Sequence, residues 1–208
     1  MNDEKDTGRG RPSRDLDQRL LKVAREILER EGLEALTLRA AARGAGVSHM
    51  APYRHYASKD ELLAAVAEHG FQTLGQQMDD AASRAEPAGR LECLGISYIL
   101  FALNNPALYR LMFGANLPNR ARFPSLVDAG NDTLRRCERA VHCETKGDTA
   151  NAADDQPATR EAVAVWALIH GLASLAIDGL VTLSESDTSN IKKDIQSALR
   201  AGYGGHKH

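Results

Sequence analysis

Between Thr37 and Lys59 the chain collects side chains suited to holding phosphates while touching the edges of bases. A tyrosine hydroxyl such as that of Tyr53 donates to a phosphate oxygen from a rigid stem, and the imidazole of His55 can do so in either protonation state. Lys59 adds a charge at what reads as a helix N-terminus, where backbone N–H groups attract the same anion. Ser48, His49, Met50 and Ala51 form the stretch that would enter a major groove, where the Ala51 methyl or the Met50 thioether could meet a thymine methyl. Arg54 can read a guanine or hold a phosphate; a bidentate arginine–guanine contact contributes about 1–3 kcal/mol of discrimination. Thr37 can add a hydroxyl contact. Plainer roles also fit: Thr37 and Ser48 as caps only, and Tyr56 as core.

These side chains need a corner to hold them, and Thr37–Leu63 reads as a helix-turn-helix. Thr37 caps a short helix whose Leu38, Ala41 and Ala42 face a core, Gly44 and Gly46 bracket the turn, and Val47 plugs it. Ser48 is placed to cap a second short helix carrying His49 to His55. Pro52 would be its fourth residue, forfeiting only the first intrahelical bond at a cost below the roughly 3 kcal/mol of an interior proline. Ser58 then caps a third helix, with Glu61 as capping-box partner and Leu62, Leu63 and Val66 as its apolar stripe.

The rest also reads as helix, with no sustained strand alternation. Residues 1–14 are polar and apolar-poor, an expected disordered arm whose Arg9-Gly10-Arg11-Pro12 could enter a narrow minor groove or simply solubilise. A first helix, Asp15–Glu31, carries Leu16, Leu20, Ala24, Ile27 and Leu28 on one face, and Gly32 stops it. Beyond the corner come expected helices at Lys59–Arg84 (weakened by Gly70 and Gly75), Gly89–Leu103, Pro106–Phe113, Ser125–His142, Ala158–Leu183 and Ser189–Ala201. Residues 144–157 read as a mobile connector and 203–208 as a frayed tail. The functional division is a head at 15–60 and a body at 61–202.

The segment VSHMAPYRHYASKDEL resembles the DNA-binding signature of TetR-type transcriptional regulators, through Thr37, Arg39, Gly46, Val47, Ser48, Tyr53, His55, Tyr56, Lys59 and Leu62. That resemblance covers about residues 15–65. It implies that Tyr53 and His55 are phosphate clamps and that Arg39 reaches a base or the backbone. Pro52 departs from the pattern, standing where an aliphatic residue is more usual. Residues 105–114 and 166–179 resemble a C-terminal domain class named for Trp-His-Gly, here Trp166, His170 and Gly171, which occurs attached to such heads.

Bulk properties agree with this reading. The 208 residues are 43% hydrophobic and 26% charged, those of a folded domain and not of a disordered chain. Net charge is −2, but residues 1–60 carry 12 Lys+Arg against 10 Asp+Glu, while 61–208 carry 14 against 18. A basic head on an acidic body suits a nucleic-acid partner. Cys93, Cys137 and Cys143 lack metal-ligand spacing and suit a reducing cytoplasm, where a DNA-binding regulator is expected at the nucleoid. The apolar run 162–183, broken by His170 and Asp178 and without flanking basic residues, argues against membrane spanning or secretion.

The expected fold is therefore all-α: an N-terminal three-helix helix-turn-helix domain and a C-terminal bundle for dimerisation and ligand binding. Apolar residues from Ala162 to Val181 cover nearly the whole circumference of one helix, which must then be buried on every side, two helices from each subunit forming a four-helix interface. Tyr98, Phe101, Tyr109, Met112, Phe113, Trp166 and His170 have the composition of a small-molecule pocket, though each is equally at home in a plain core. No nucleophile elbow, phosphate-binding glycine loop or zinc helix motif is present, so no enzyme, metal or cofactor is expected. The expected function is a homodimeric repressor on a palindromic double-stranded operator, released by an unidentified effector. The alternative is a DNA-binding architectural protein without an effector.

Overall fold

The computed structural model describes residues 11–86, 89–115, 117, 119–146, 159–181 and 188–203. Among the described residues α-helices run in the order α1 (Arg11–Glu31), α2 (Leu38–Gly44), α3 (Lys59–Ser83), α4 (Arg90–Asn104), α5 (Pro106–Phe113), α6 (Pro124–Lys146), α7 (Arg160–Ile177) and α8 (Thr188–Tyr203). Short 3-10 turns lie at Pro52–Arg54 and Arg120–Arg122, and no strand occurs among the described residues. The all-α expectation holds.

Packing divides the chain into a first unit, residues 1–70 with 107–126, and a second, residues 71–106 with 127–208. This division is not the expected functional one: α3 belongs to both units, and α5 packs with the first. In the first unit α1 buries Leu20, Ala24 and Leu28, joined by Leu36, Leu38, Ala41, Ala42, Leu62, Leu63 and Val66. Gly32, at φ +85°, turns the chain out of α1. Both carboxylate oxygens of Glu29 accept from the start of α5, from Leu108 N–H at 2.8 Å and Ala107 N–H at 3.2 Å, satisfying donors that a helix N-terminus leaves open. In the second unit α4 packs against α7 and α8 through buried Leu94, Tyr98, Ile99, Phe101, Val165, Ile169 and Ile195.

Several expectations need correction. α1 begins at Arg11, so Arg11 and Pro12 are helical and not part of an extended arm, proline being tolerated in a first turn. Arg9 and Gly10 lie outside the described residues, as do 147–157 of the expected connector and 204–208 of the tail, while 144–146, read as connector, are the end of α6. Tyr203 ends α8 and does not begin the tail. α7 stops at Ile177, short of Leu183, because Gly179 turns to φ +67° and the Leu180 N–H bonds back to Leu175 O at 2.9 Å. α3 runs unbroken through Gly70 and Gly75. A methyl at Gly70 would lie 2.7 Å from Met112 Sδ, so that glycine admits α5.

Within the single chain α7 is covered on one side: Ala162, Val165, Ile169 and Ala173 face the core, while Val163, Ala164, Ala167 and Leu175, and Leu180 just beyond the helix, are exposed. By length and composition alone it would pass for a membrane span, but so does the core helix of a bundle, and α4 and α8 pack on its buried side.

The head is tightest where α2 meets α1. A methyl at Gly44 would stand 2.4 Å from Val23 Cγ1. Alanine gains up to about 1 kcal/mol of helix propensity, but overpacking costs about 1–3 kcal/mol. We predict that Gly44→Ala lowers the thermal midpoint by about 2–4 °C. An unchanged or raised midpoint would show that Val23 yields freely.

Candidate nucleic-acid interface

α2 starts as expected: Thr37 is extended, and its Oγ1 accepts from Ala40 N–H at 3.0 Å. Thr37 thus caps, and with Arg39 it stays exposed. Gly46 supplies the turn's positive φ, +67°, and Val47 N–H closes back on Ala42 O at 3.0 Å.

The next segment departs from expectation. Ser48 does not cap an α-helix, and the chain from Ser48 to Tyr56 forms successive tight turns with a 3-10 helix only at Pro52–Arg54. The cause is Pro52. In an α-helix begun by Ser48, its carbonyl would accept from residue 52, and proline has no N–H to give. Ser48 O instead accepts from Ala51 N–H at 2.9 Å, three residues on, and Pro52 takes the first 3-10 position. The side chains still reach outward. Ser48, His49 and Arg54 are exposed, Met50 is 58% and Tyr53 44% exposed, and Ala51 is half-buried.

Polar hooks fix this corner to its neighbours. Arg19 Nη2 donates to Ala45 O at 2.7 Å. The Tyr56 hydroxyl donates to Asp17 Oδ1, and His55 Nδ1 lies 3.7 Å from the same oxygen. Burial first, then the Asp17 hydrogen bond, push the Tyr56 phenol well above its ordinary range, so it stays a neutral donor. Tyr56 is core, as its plainer reading had it. Lys59 Nζ donates to Leu33 O at 3.1 Å, using one of its three N–H groups. At the head of α3, Glu61 N–H donates to Ser58 Oγ at 3.2 Å. Glu61 Oε2 accepts from Ala57 N–H at 2.7 Å, one residue earlier than a capping box predicts. Asp17 and Arg19 are positioning residues that sequence reasoning missed; on the exposed side of an amphipathic helix, nothing marks a carboxylate that will meet a tyrosine 39 positions away.

The seven expected pocket residues fall into two groups. Tyr109, Met112 and Phe113 belong to the first unit, with the Tyr109 and Phe113 rings 4.7 Å apart. Tyr98, Phe101, Trp166 and His170 belong to the second. There the Tyr98 hydroxyl lies 3.0 Å from His170 Nδ1, and the Trp166 ring stacks 5.5 Å from the imidazole. Phe101 also borders an open cleft of about 550 Å³ with Ile96, Leu100, Arg84 and Lys192. Burial lowers the His170 pKa from its ordinary value and pushes the Cys137 thiol up to about 12. No cluster of metal-ligating side chains occurs among the described residues.

An all-helical chain with this capped turn and this exposed corner has the architecture of a helix-turn-helix regulator. The comparisons name the family. Residues 20–66 match the model for bacterial regulatory proteins of the tetR family, and residues 91–191 match a tetracyclin repressor-like C-terminal domain that spans both segments read as Trp-His-Gly-like. The chain belongs to the TetR family of transcriptional regulators. Similar proteins include the HTH-type transcriptional regulator Rv1816 of Mycobacterium tuberculosis, 28% identical over 53% of this chain and 49% of that protein. Another is the nucleoid occlusion factor SlmA of Haemophilus ducreyi, 34% identical over 47% of this chain and 49% of that protein. The chain spans about half the length of the curated relatives it matches. A solved protein of unknown function from Rhodococcus sp. RHA1 superposes with a TM-score of 0.72 at 29% identity, covering 97% of this chain and 98% of that one. The TetR-family regulator PfmR of Thermus thermophilus shares the fold, with a TM-score of 0.61 at 16% identity, over 91% of this chain and all of that one.

The lowered His170 pKa sets a direction for stability. The folded imidazole resists the proton that the unfolded chain takes up near 6.5, so stability falls as pH drops below that value through the folded pKa. His170→Gln should flatten the fall in thermal midpoint between about pH 6.5 and 5. An identical slope in the variant would exclude His170 as its source.

Proposed function

We propose that this chain is a sequence-specific DNA-binding repressor, acting as a homodimer on a palindromic operator and released by a small-molecule effector. The observation that carries the reading is the exposed set Arg39, His49, Met50, Tyr53 and Arg54 on a corner held by α1. Ser48, His49, Met50 and Ala51 are the proposed base-facing stretch, with Arg39 and Arg54 able to add base or phosphate contacts. Tyr53, His55 and Thr37 hold the backbone. Lys59 keeps two N–H groups for a phosphate after its bond to Leu33 O. These residues define the proposed head, 15–60.

The exposed apolar side of α7 supports a twofold partner. Val163, Leu175 and Leu180 are 44%, 42% and 73% exposed, costly for an isolated chain and natural for helices that pack on their copies. Two heads about 34–36 Å apart would read half-sites one DNA turn apart. The proposed effector site is in the body, 61–202, around Tyr98, Trp166 and His170, in a domain of Trp-His-Gly type. Ligand there is proposed to act through α3. A tenfold weakening of operator binding requires about 1.4 kcal/mol of differential ligand affinity. Such a regulator works in the cytoplasm, at the nucleoid. A second reading, a DNA-binding protein with no effector, draws on the name of one relative, a nucleoid occlusion factor.

Selection from a random duplex pool tests the first reading. It should return a palindrome; recovery of no preferred sequence favours the second. On the selected site, Tyr53→Ala or Lys59→Ala should weaken binding about tenfold on all sequences alike, and Arg39→Ala should also blur the preference. Equal blurring by all three would refute this division of labour. Separately, Val163→Glu with Leu175→Glu should turn a dimer into a monomer in sedimentation analysis. A variant that sediments as the parent does would remove α7 from the interface.

A further inference from the structure

In the second unit, α3, α4 and α6 line a second open cleft, of about 280 Å³, whose charged lining is three arginines, Arg90, Arg136 and Arg139, and one acid, Asp79. Leu94 and Ala140, both buried, supply an apolar floor. The balance is cationic in a chain whose body is acidic overall.

Arg136 does not behave as a solvated surface arginine. Its Nε donates to Asp79 Oδ2 at 2.9 Å, and its side chain is only 21% exposed. The guanidinium lies directly over Gly75, where a methyl would sit 2.7 Å from Cζ and 2.9 Å from Nη1. Asp79 and Gly75 thus hold the group flat, with Nε occupied and neither Nη hydrogen-bonded among the described residues. Arg139 likewise has no hydrogen bond or ion pair among the described residues. A planar fork of N–H donors held in place and left unused matches an oxyanion, and its fixed geometry removes the ordering cost that a mobile arginine would carry.

We propose that this cleft binds a small organic dianion of the phosphate-monoester class. The phosphate would lie on Arg136 and Arg139, assisted by Arg90, and a short apolar group on Leu94 and Ala140. The volume admits a phosphate with one ring or a short chain, at the lower edge of ligand-pocket sizes. The site is separate from the exposed DNA-reading corner and from Tyr98, Trp166 and His170.

The test is calorimetric titration of the full chain, without DNA and in phosphate-free buffer, with phenyl phosphate, inorganic phosphate and phenol. Phenyl phosphate should bind, inorganic phosphate about tenfold more weakly, and phenol not at all. Arg136→Gln, Arg139→Gln and Gly75→Ala should each weaken phenyl phosphate about tenfold, Gly75→Ala because its methyl displaces the Arg136 fork. Arg139 is exposed, so Arg139→Gln decides the matter even if the other variants misfold. Absence of binding up to ~10 mM overturns the proposal, as does undiminished binding by Arg139→Gln. So does binding lost only in Arg39→Gln with Arg54→Gln, which would place the anion on the head. None of these outcomes bears on operator recognition, which is read with DNA.

Discussion

What the exposed corner can present depends on how α1 grips it. Residues 45–58 make few helical bonds of their own, so their shape comes from outside. The core packs Leu20, Ala24 and Leu28 under Leu38, Ala41 and Leu62, and polar hooks tie the rim: Arg19 to Ala45 O, Tyr56 to Asp17, Lys59 to Leu33 O. Each hydrogen bond contributes only about 0.5–1.5 kcal/mol net. Their effect is geometric. They fix both ends of a short segment, so that Met50, Tyr53 and Arg54 project from a defined surface. Gly44 belongs to the same constraint, since only a residue without a side chain lets α2 come that close to Val23.

The helices were legible in the sequence because periodicity and punctuation agree: Gly32, Pro106 and Gly114 act where their backbone chemistry predicts, and Pro106–Phe113 is found with its expected bounds. The recognition segment was not legible in the same way. Ser48, four residues before Pro52, has the form of a helix cap, and the expected cost of the proline was one bond. In so short an element that bond is the nucleus. Without it the i to i+4 pattern does not propagate: i to i+3 turns run from Ser48, Ala51 and Pro52, with a lone i to i+4 bond from Tyr56 N–H to Pro52 O. In a 3-10 geometry side chains three apart eclipse, so the set that meets a base edge is not the set an α-helix would present.

α7 shows a second limit. Its apolar circumference was readable, and so was the need for cover on all sides. One chain covers only half of it, because α4 and α8 occupy one side and leave Val163, Ala167 and Leu175 bare. Composition reports that a surface avoids water. It does not report whether the neighbour is in the same chain. The residues read as one pocket lining divide between two packing units: Tyr109 meets Phe113 in the first, and Tyr98, Trp166 and His170 meet in the second, a grouping that aromatic side chains on successive helices do not announce.

The arginine cleft was invisible to sequence reading for a physical reason. Arg90 comes from the start of α4, while Arg136 and Arg139 lie three apart on α6, and on each helix an arginine with acidic residues nearby is the ordinary signature of a solvated face. The distinguishing fact is the pairing of Gly75 with Arg136. A glycine inside a long helix reads as a weakness of about 1 kcal/mol, and α3 shows no break there. What the missing side chain provides is room for a guanidinium to lie against the helix, with Asp79 one turn on holding its Nε. Arg136 is thus placed by two residues that engage its Nε and its face and leave both Nη groups without a hydrogen bond among the described residues, and a planar fork held in that way is the geometry the proposed oxyanion would use.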